Sequence, residues 1–235
     1  MAQASTSVLI TGAAGNLGRA VADAFAARGA SVALIARKRE HLAKTFGTED
    51  ARRLFVTADL TDAAQAENAA QAASDRFGGI DVLCNIAGGF RMGTPVHETS
   101  DADWNFLFDI NARTLLNMAR AVVPRMLAKG GGRIVNVGAY SAQKGVAQMG
   151  AYVAAKSAVI RLTETMAAEL RDKNINVNCV LPTIIDTPEN RASMPKADPR
   201  KWVDPADLAN VIVFLASDYS TYMTGEVVSV SSQHP

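Results

Sequence analysis

The chain has 235 residues, 49% of them hydrophobic, enough apolar material for one large core. Its 24 lysines and arginines nearly balance 23 aspartates and glutamates, for a net charge of +1, so no basic footprint marks it as a binder of nucleic acid or another polyanion. The start, Met1-Ala-Gln-Ala-Ser-Thr-Ser7, lacks a basic region followed by a long apolar segment, and no stretch approaches a membrane span; the expected location is the cytoplasm.

Ser7-Val-Leu-Ile10 is a short apolar run of strand character. It leads into Thr11-Gly-Ala-Ala-Gly-Asn-Leu-Gly18, after which Arg19 to Arg28 reads as a helix ended by Gly29. Gly12 permits a tight turn, Gly15 lets backbone approach a pyrophosphate, and Gly18 lets the helix pack on the sheet with its first N–H groups facing the phosphates. A purely structural turn is the alternative; the position between the first strand and the first helix favours a dinucleotide site. Further strands are expected at 31–36, 53–57, 80–86, 132–137 and 176–181, with helices at about 61–77, 101–129, 150–172 and 205–216. The alternation predicts an α/β, Rossmann-type fold: a doubly wound parallel sheet of about seven strands with helices on both faces and right-handed crossovers. No repeat or linker divides it, so residues 1–235 read as a single dinucleotide-binding domain. Pro182 to Asp204 holds Pro182, Pro188, Pro195 and Pro199, and an irregular stretch of this length, residues 183–204, is expected to form a substrate lid.

The second strand ends in Ala36-Arg37-Lys38-Arg39. A site selecting NAD places an acidic residue there for the ribose hydroxyls, whereas Arg37 is suited to a 2′-phosphate, so NADP(H) is the expected cofactor; a plain surface basic run is the alternative. Tyr152 and Lys156 stand four apart in Gly150-Ala-Tyr-Val-Ala-Ala-Lys156, which places phenol and ammonium on one helix face. A cation held near a phenol lowers its pKa and equips it to exchange a proton near neutral pH. Cys84 and Cys179 lie in apolar strand-like stretches without zinc-type spacing, and His41, His97 and His234 have no partner spacing for a metal. The cysteines read as buried thiols, the histidines as solvated surface residues, and no metal is implied.

The ordered set of Thr11 to Gly18, Asp59-Leu60, Cys84-Asn-Ile-Ala-Gly88, Asn111, Tyr152 with Lys156, and Pro182 with Thr187 resembles the short-chain dehydrogenase/reductase family along nearly the whole chain. The resemblance implies catalysis by Tyr152, Lys156 and Asn111, the last holding a water in a proton relay. It implies cofactor contacts from Gly12, Gly15, Asn16, Leu17 and Gly18. Asp59 and Leu60 would flank the adenine, Asn85, Ala87 and Gly88 would line the cofactor path, and Pro182, Ile185 and Thr187 would lie near the nicotinamide, with Ile185 and Thr187 on its carboxamide. Lys156 would also hold the nicotinamide ribose. A homo-dimer or homo-tetramer acting on a small molecule is implied as well.

Two positions depart from the family pattern. Asn16 stands where many members have glycine, and Ala139 stands where the family has a serine, thirteen residues before the tyrosine. Loss of one donor to a developing oxyanion lowers rate by about 10² to 10³, so ordinary ketones are expected to be poor substrates unless Ser141, Tyr140 or a water substitutes. Ala139, Ile86-Ala-Gly-Gly-Phe90 and the lid around Val180 to Asp198 with Trp202 are similar to the subgroup of quinonoid dihydropteridine reductases. That subgroup implies hydride transfer from NADPH to a flat quinonoid acceptor. The alternatives are a general carbonyl or 3-oxoacyl reductase, and a catalytically weak NADP-binding sensor or scaffold. Phe90, Arg91, Tyr140, Met149, Met194 and Trp202 are candidate walls of a flat pocket or ordinary packing residues. Ala151, Ala154, Ala155 and Ala158 form a small-residue stripe for close packing, either between subunits or within the chain.

Overall fold

Strand β1 (Ser7–Ile10) is buried along its whole length, as a central parallel strand must be when helices cover both faces of the sheet. In the computed structural model, which describes residues 6–232, β1 pairs with β2 (Ser31–Ala36) on one side and β4 (Val82–Asn85) on the other. His234 and Met1 to Ser5 lie outside the described residues. With β3 (Arg53–Thr57), β5 (Gly132–Val137), β6 (Ile175–Pro182) and β7 (Val227–Val230), the sheet has seven parallel strands in the order β3-β2-β1-β4-β5-β6-β7. Strand order reverses between β1 and β4, and an open α/β sheet forms its ligand crevice at such a switch point, beyond the carboxyl ends of the strands.

One face carries α3 (Ala63–Phe77), α5 (Thr114–Lys129) and α6 (Gly150–Leu170); the other carries α1 (Asn16–Ala26), α2 (Arg39–Phe46) and α8 (Pro205–Leu215). The alanines of α3 at 66, 69, 70 and 73 recur at helical spacing and are fully buried, which lets α3 lie close to α5. Asp62 caps α3 by accepting from the N–H groups of Ala64 and Gln65. Helix α2 is new relative to the sequence reading. It is short and buries only Leu42, leaving too weak an apolar period to read.

The stretch 101–129 is not one helix. Helix α4 (Asp101–Phe108) runs into a π turn at Asp109–Arg113 before α5 begins. The lid region is not wholly irregular either: Pro188–Ser193 forms helix α7, capped by Thr187, and Ile185 pairs in a parallel bridge with Val203. Among the described residues no helix is long and apolar enough to cross a membrane, and no group of metal-ligating side chains is assembled.

Candidate active site

The turn after β1 is built by two glycines that the chain itself requires. Gly12 adopts φ +62, and a Cβ there would meet Ala87 at 3.0 Å. A Cβ on Gly18 would lie 2.3 Å from the Gly12 carbonyl oxygen and 2.7 Å from Ala13 Cα. Gly15 differs: a Cβ there would meet only Gly12 O, at 3.4 Å, an ordinary contact. Contacts within the chain therefore do not require a glycine at this position, the N-cap of α1. Asn16 opens α1 and Leu17 is buried beneath it. Thr11, whose role the sequence reading did not reach, locks the turn to β4: its Oγ1 accepts from Ile86 N at 2.9 Å and Ala87 N at 3.0 Å.

Past β2, Lys38 pairs with Glu40 and Arg39 with Glu49. Arg37 is exposed and makes no ion pair among the described residues. Asp59 is exposed and accepts from Thr61 N and Oγ1, while the Leu60 side chain is 5% exposed and faces the core. Asn85 also turns inward. Its Nδ2 donates to Asn136 Oδ1 at 2.9 Å, and its own Oδ1 is buried with no partner. Pro182 ends β6, the Ile185 carbonyl accepts from Asn190 Nδ2, and the Thr187 hydroxyl accepts from Asn190 N as the cap of α7. Leu60 and Asn85 thus have side chains committed to the protein interior, leaving mainly backbone for a ligand.

Two of the three candidate catalytic residues, Asn111 and Lys156, meet at the Gly88–Gly89 segment that leaves β4, and Tyr152 packs against Phe90 just beyond it. Asn111, 2% exposed, sits in the π turn, and such single-turn insertions commonly re-aim a side chain at a functional site. Its Nδ2 donates to the carbonyls of Gly89 and Leu107, both at 2.9 Å, and its Oδ1 accepts from Gly89 N at 3.1 Å. A Cβ on Gly88 would lie 2.8 Å from Asn111 Oδ1 and 3.3 Å from Lys156 Nζ, so Gly88 is the spacer between them. Lys156 is 5% exposed and donates from Nζ to the Val137 carbonyl at 2.8 Å.

Burial holds Lys156 down to about 8, with Cys179 acting in the opposite sense. Tyr152 is half-buried, and burial pushes it up to about 12. The expectation of a lowered tyrosine pKa is therefore corrected for the unliganded protein: desolvation of the phenolate raises it, and the lysine Nζ is engaged with the Val137 carbonyl of β5. At neutral pH Tyr152 is a fully protonated acid and Lys156 is mostly charged.

Tyr152 opens onto a cavity of about 230 Å³ lined also by Arg91, Met92, Asp103, Gln148 and Met149. Of the candidate pocket walls, Arg91 and Met149 line it, whereas Tyr140, Met194 and Trp202 do not. Trp202 is a buried packing residue, and Phe90 instead packs edge-on against the Tyr152 ring at 4.8 Å. Neither Ser141 nor Tyr140 reaches the cavity wall, and Ala139 is buried without a hydroxyl to offer. Ala151 and Ala155 pack against Leu107 within the chain, which settles the intrachain alternative for that part of the stripe.

Residues 12–232 match the family described as Enoyl-(Acyl carrier protein) reductase. D-threitol dehydrogenase of Mycolicibacterium smegmatis is 34% identical over 229 residues, covering 92% of this chain and 88% of that protein. Among solved structures, ElxO with NADP bound superposes with a TM-score of 0.89 at 28% identity, covering 96% of this chain and 97% of ElxO. The 3-ketoacyl-(acyl-carrier-protein) reductase of Brucella melitensis complexed with NADH gives 0.86 at 27% identity, with 96% of each chain covered.

Proposed function

This chain belongs to the short-chain dehydrogenase/reductase family and is a nicotinamide-dependent oxidoreductase, and on that premise we propose that it interconverts a small carbonyl compound and its alcohol, preferring NADP(H). The observation that carries the reading is the placement of Tyr152 at a cavity, with Lys156 one helical turn behind it and Gly88 separating Lys156 from Asn111. The names of the relatives, a polyol dehydrogenase and a 3-ketoacyl reductase, favour the carbonyl alternative over the quinonoid one.

When bound, the nicotinamide supplies or accepts the hydride. Tyr152 gives its phenolic proton to the carbonyl oxygen in reduction, and its raised pKa keeps that proton in place at neutral pH. Lys156, charged, stabilises the phenolate left behind and anchors the ribose. Both ends of the Asn111 amide are engaged, so we assign it a positioning role: it fixes the Gly88–Gly89 segment against which Lys156 and the cofactor lie. Arg37 takes the 2′-phosphate, and residues 183–204 close over the bound molecules. An apolar groove of about 480 Å³ between α5 and α6, lined by Leu116, Leu162 and Met166 among others, supports packing of two copies, testable by sedimentation.

Ala139 favours a second reading, reduction of a flat quinonoid acceptor that spreads the incoming charge and depends less on one oxyanion donor. NADPH oxidation with simple ketones, an acetoacetyl thioester and a quinonoid dihydropterin separates the two. Ketone turnover lost in Tyr152→Phe supports the first reading; turnover confined to the dihydropterin supports the second.

A further inference from the structure

We propose that Arg91 selects the substrate by binding a carboxylate group in the cavity onto which Tyr152 opens, an inference that rests on the carbonyl reading above. Arg91 is fixed from two directions. Its guanidinium lies over the Phe106 ring, 3.8 Å from the centroid, and its Nη1 donates to Asp103 Oδ1. Asp103 is itself held in place: Ser100 Oγ accepts from Asp103 N at 3.1 Å and donates to Asp103 Oδ2 at 3.2 Å. Both carboxylate oxygens of Asp103 are therefore occupied by protein donors.

The loop that carries Arg91 is pinned as well. Gly93 N donates to the Gln148 carbonyl at 2.9 Å, and Gln148 adopts φ 61, a left-handed conformation unusual for a residue with a side chain. Strain of this kind at a cavity wall persists where the surroundings impose it.

These holds leave Nε and Nη2 of Arg91 without a hydrogen bond among the described residues, the ion pair to Asp103 being made through Nη1. That pair of N–H groups forms one straight edge of the guanidinium, the edge that meets both oxygens of a carboxylate in parallel. A guanidinium with a flexible stem and one spent donor would be an ordinary surface ion pair. The Arg91 side chain is half-exposed, but the ring beneath it and the capped Asp103 beside it restrain its plane, and Arg91 lines the same cavity as Tyr152. An oxo acid of a few carbons, its ketone at Tyr152 and its carboxylate at Arg91, matches these two groups within about 230 Å³.

The test compares levulinate with levulinamide, the same ketone ending in a carboxylate or a neutral amide, using the NADPH-loaded enzyme. The wild type should prefer levulinate by about tenfold or more in kcat/KM, through KM. The ratio is taken within each protein, so a general loss of activity cancels. Arg91→Met should bring the ratio to about one, and Arg91→Lys should fall between, keeping charge without the fork. Asp103→Asn, which removes the competing anion, should raise the ratio above wild type. A wild-type ratio near one, or a ratio unmoved by Arg91→Met, overturns the assignment. Turnover of neither ketone would sink the carbonyl reading, and calorimetry of levulinate and levulinamide binding to the NADPH-loaded protein then judges Arg91 separately. Tighter levulinate binding that Arg91→Met abolishes supports it, and equal or absent binding refutes it.

Discussion

Asn111 clasps Gly89 on both sides of its Cα, accepting from its N–H at 3.1 Å and donating to its carbonyl at 2.9 Å. Asn111→Ala removes the acceptor for that N–H and the donor for the carbonyls of Gly89 and Leu107, groups that water reaches poorly beside a side chain 2% exposed. Leaving buried polar groups unpaired costs about 1–3 kcal/mol. Urea unfolding of Asn111→Ala should show a loss in that range together with reduced turnover. Full stability with lost turnover would mean that Asn111 acts on the reacting groups directly and not by holding the loop.

The two-sided amide clasp could not be read from the sequence, although Asn111 itself was recognised by its resemblance to the family pattern. A π turn adds one residue to a helix without changing the apolar period on either side, so 101–129 reads as a single helix. The parallel strands at the centre of the sheet were legible because burial on both faces makes them near-continuous apolar runs. Edge strand β7, half-buried with Ser229 exposed, carries a fainter signal. That Tyr152 and Lys156 share one helix was legible from spacing, but the direction of the tyrosine shift was not. It depends on how much water the folded chain removes, and that is set by Phe90 and by α4, brought in from elsewhere in the sequence.

Gly15 and Gly18 should respond differently to the same change. Gly18→Ala places a Cβ 2.3 Å from a backbone oxygen, which must displace the turn or the helix, and it should lower Tm sharply. Gly15→Ala meets only an ordinary contact at 3.4 Å, at a φ of −79 that alanine adopts freely. It should leave Tm within a few degrees of wild type, while the methyl group stands where a pyrophosphate would lie and weakens cofactor binding by about tenfold or more. Thermal melts alongside cofactor titration by fluorescence give both quantities. Undiminished cofactor affinity in Gly15→Ala would place the pyrophosphate elsewhere.

In its proposed role, Lys156 is expected to make stability and activity pull in opposite directions. Its pKa in the folded, cofactor-free protein is about 8, against an ordinary value of 10.5. Between those two values the unfolded chain binds the extra proton, so stability rises with pH across that window, and below about pH 8 the full penalty of the buried ammonium is carried. Lys156→Met removes the penalty and should raise Tm near pH 7 by several degrees, with the advantage shrinking towards about pH 10. Reduction by the wild type should decline as pH rises through about 8, because the charged lysine is lost while Tyr152 keeps its proton up to about 12. A Lys156→Met protein less stable than wild type near pH 7 would show that the bond to the Val137 carbonyl outweighs desolvation.

The proposed preference for NADP(H) turns on Arg37. Of the three cations that follow β2, Lys38 and Arg39 are paired with Glu40 and Glu49, whereas Arg37 has no ionic partner among the described residues. No acidic side chain occupies 36–39 to bind ribose hydroxyls or repel a phosphate. A charge-assisted contact to the 2′-phosphate predicts NADPH over NADH by at least about tenfold in affinity, roughly 1.4 kcal/mol. Arg37→Ala should erase that preference by weakening NADPH alone. Adding Ala36→Asp should invert it, since a carboxylate at the end of β2 repels the phosphate and accepts from the hydroxyls. Titration of both cofactors into all three proteins at fixed ionic strength is the measurement, because the contact is exposed and screened by salt. Equal affinity of the parent protein for both cofactors would remove Arg37 from the site and leave the basic run as a solvated surface feature.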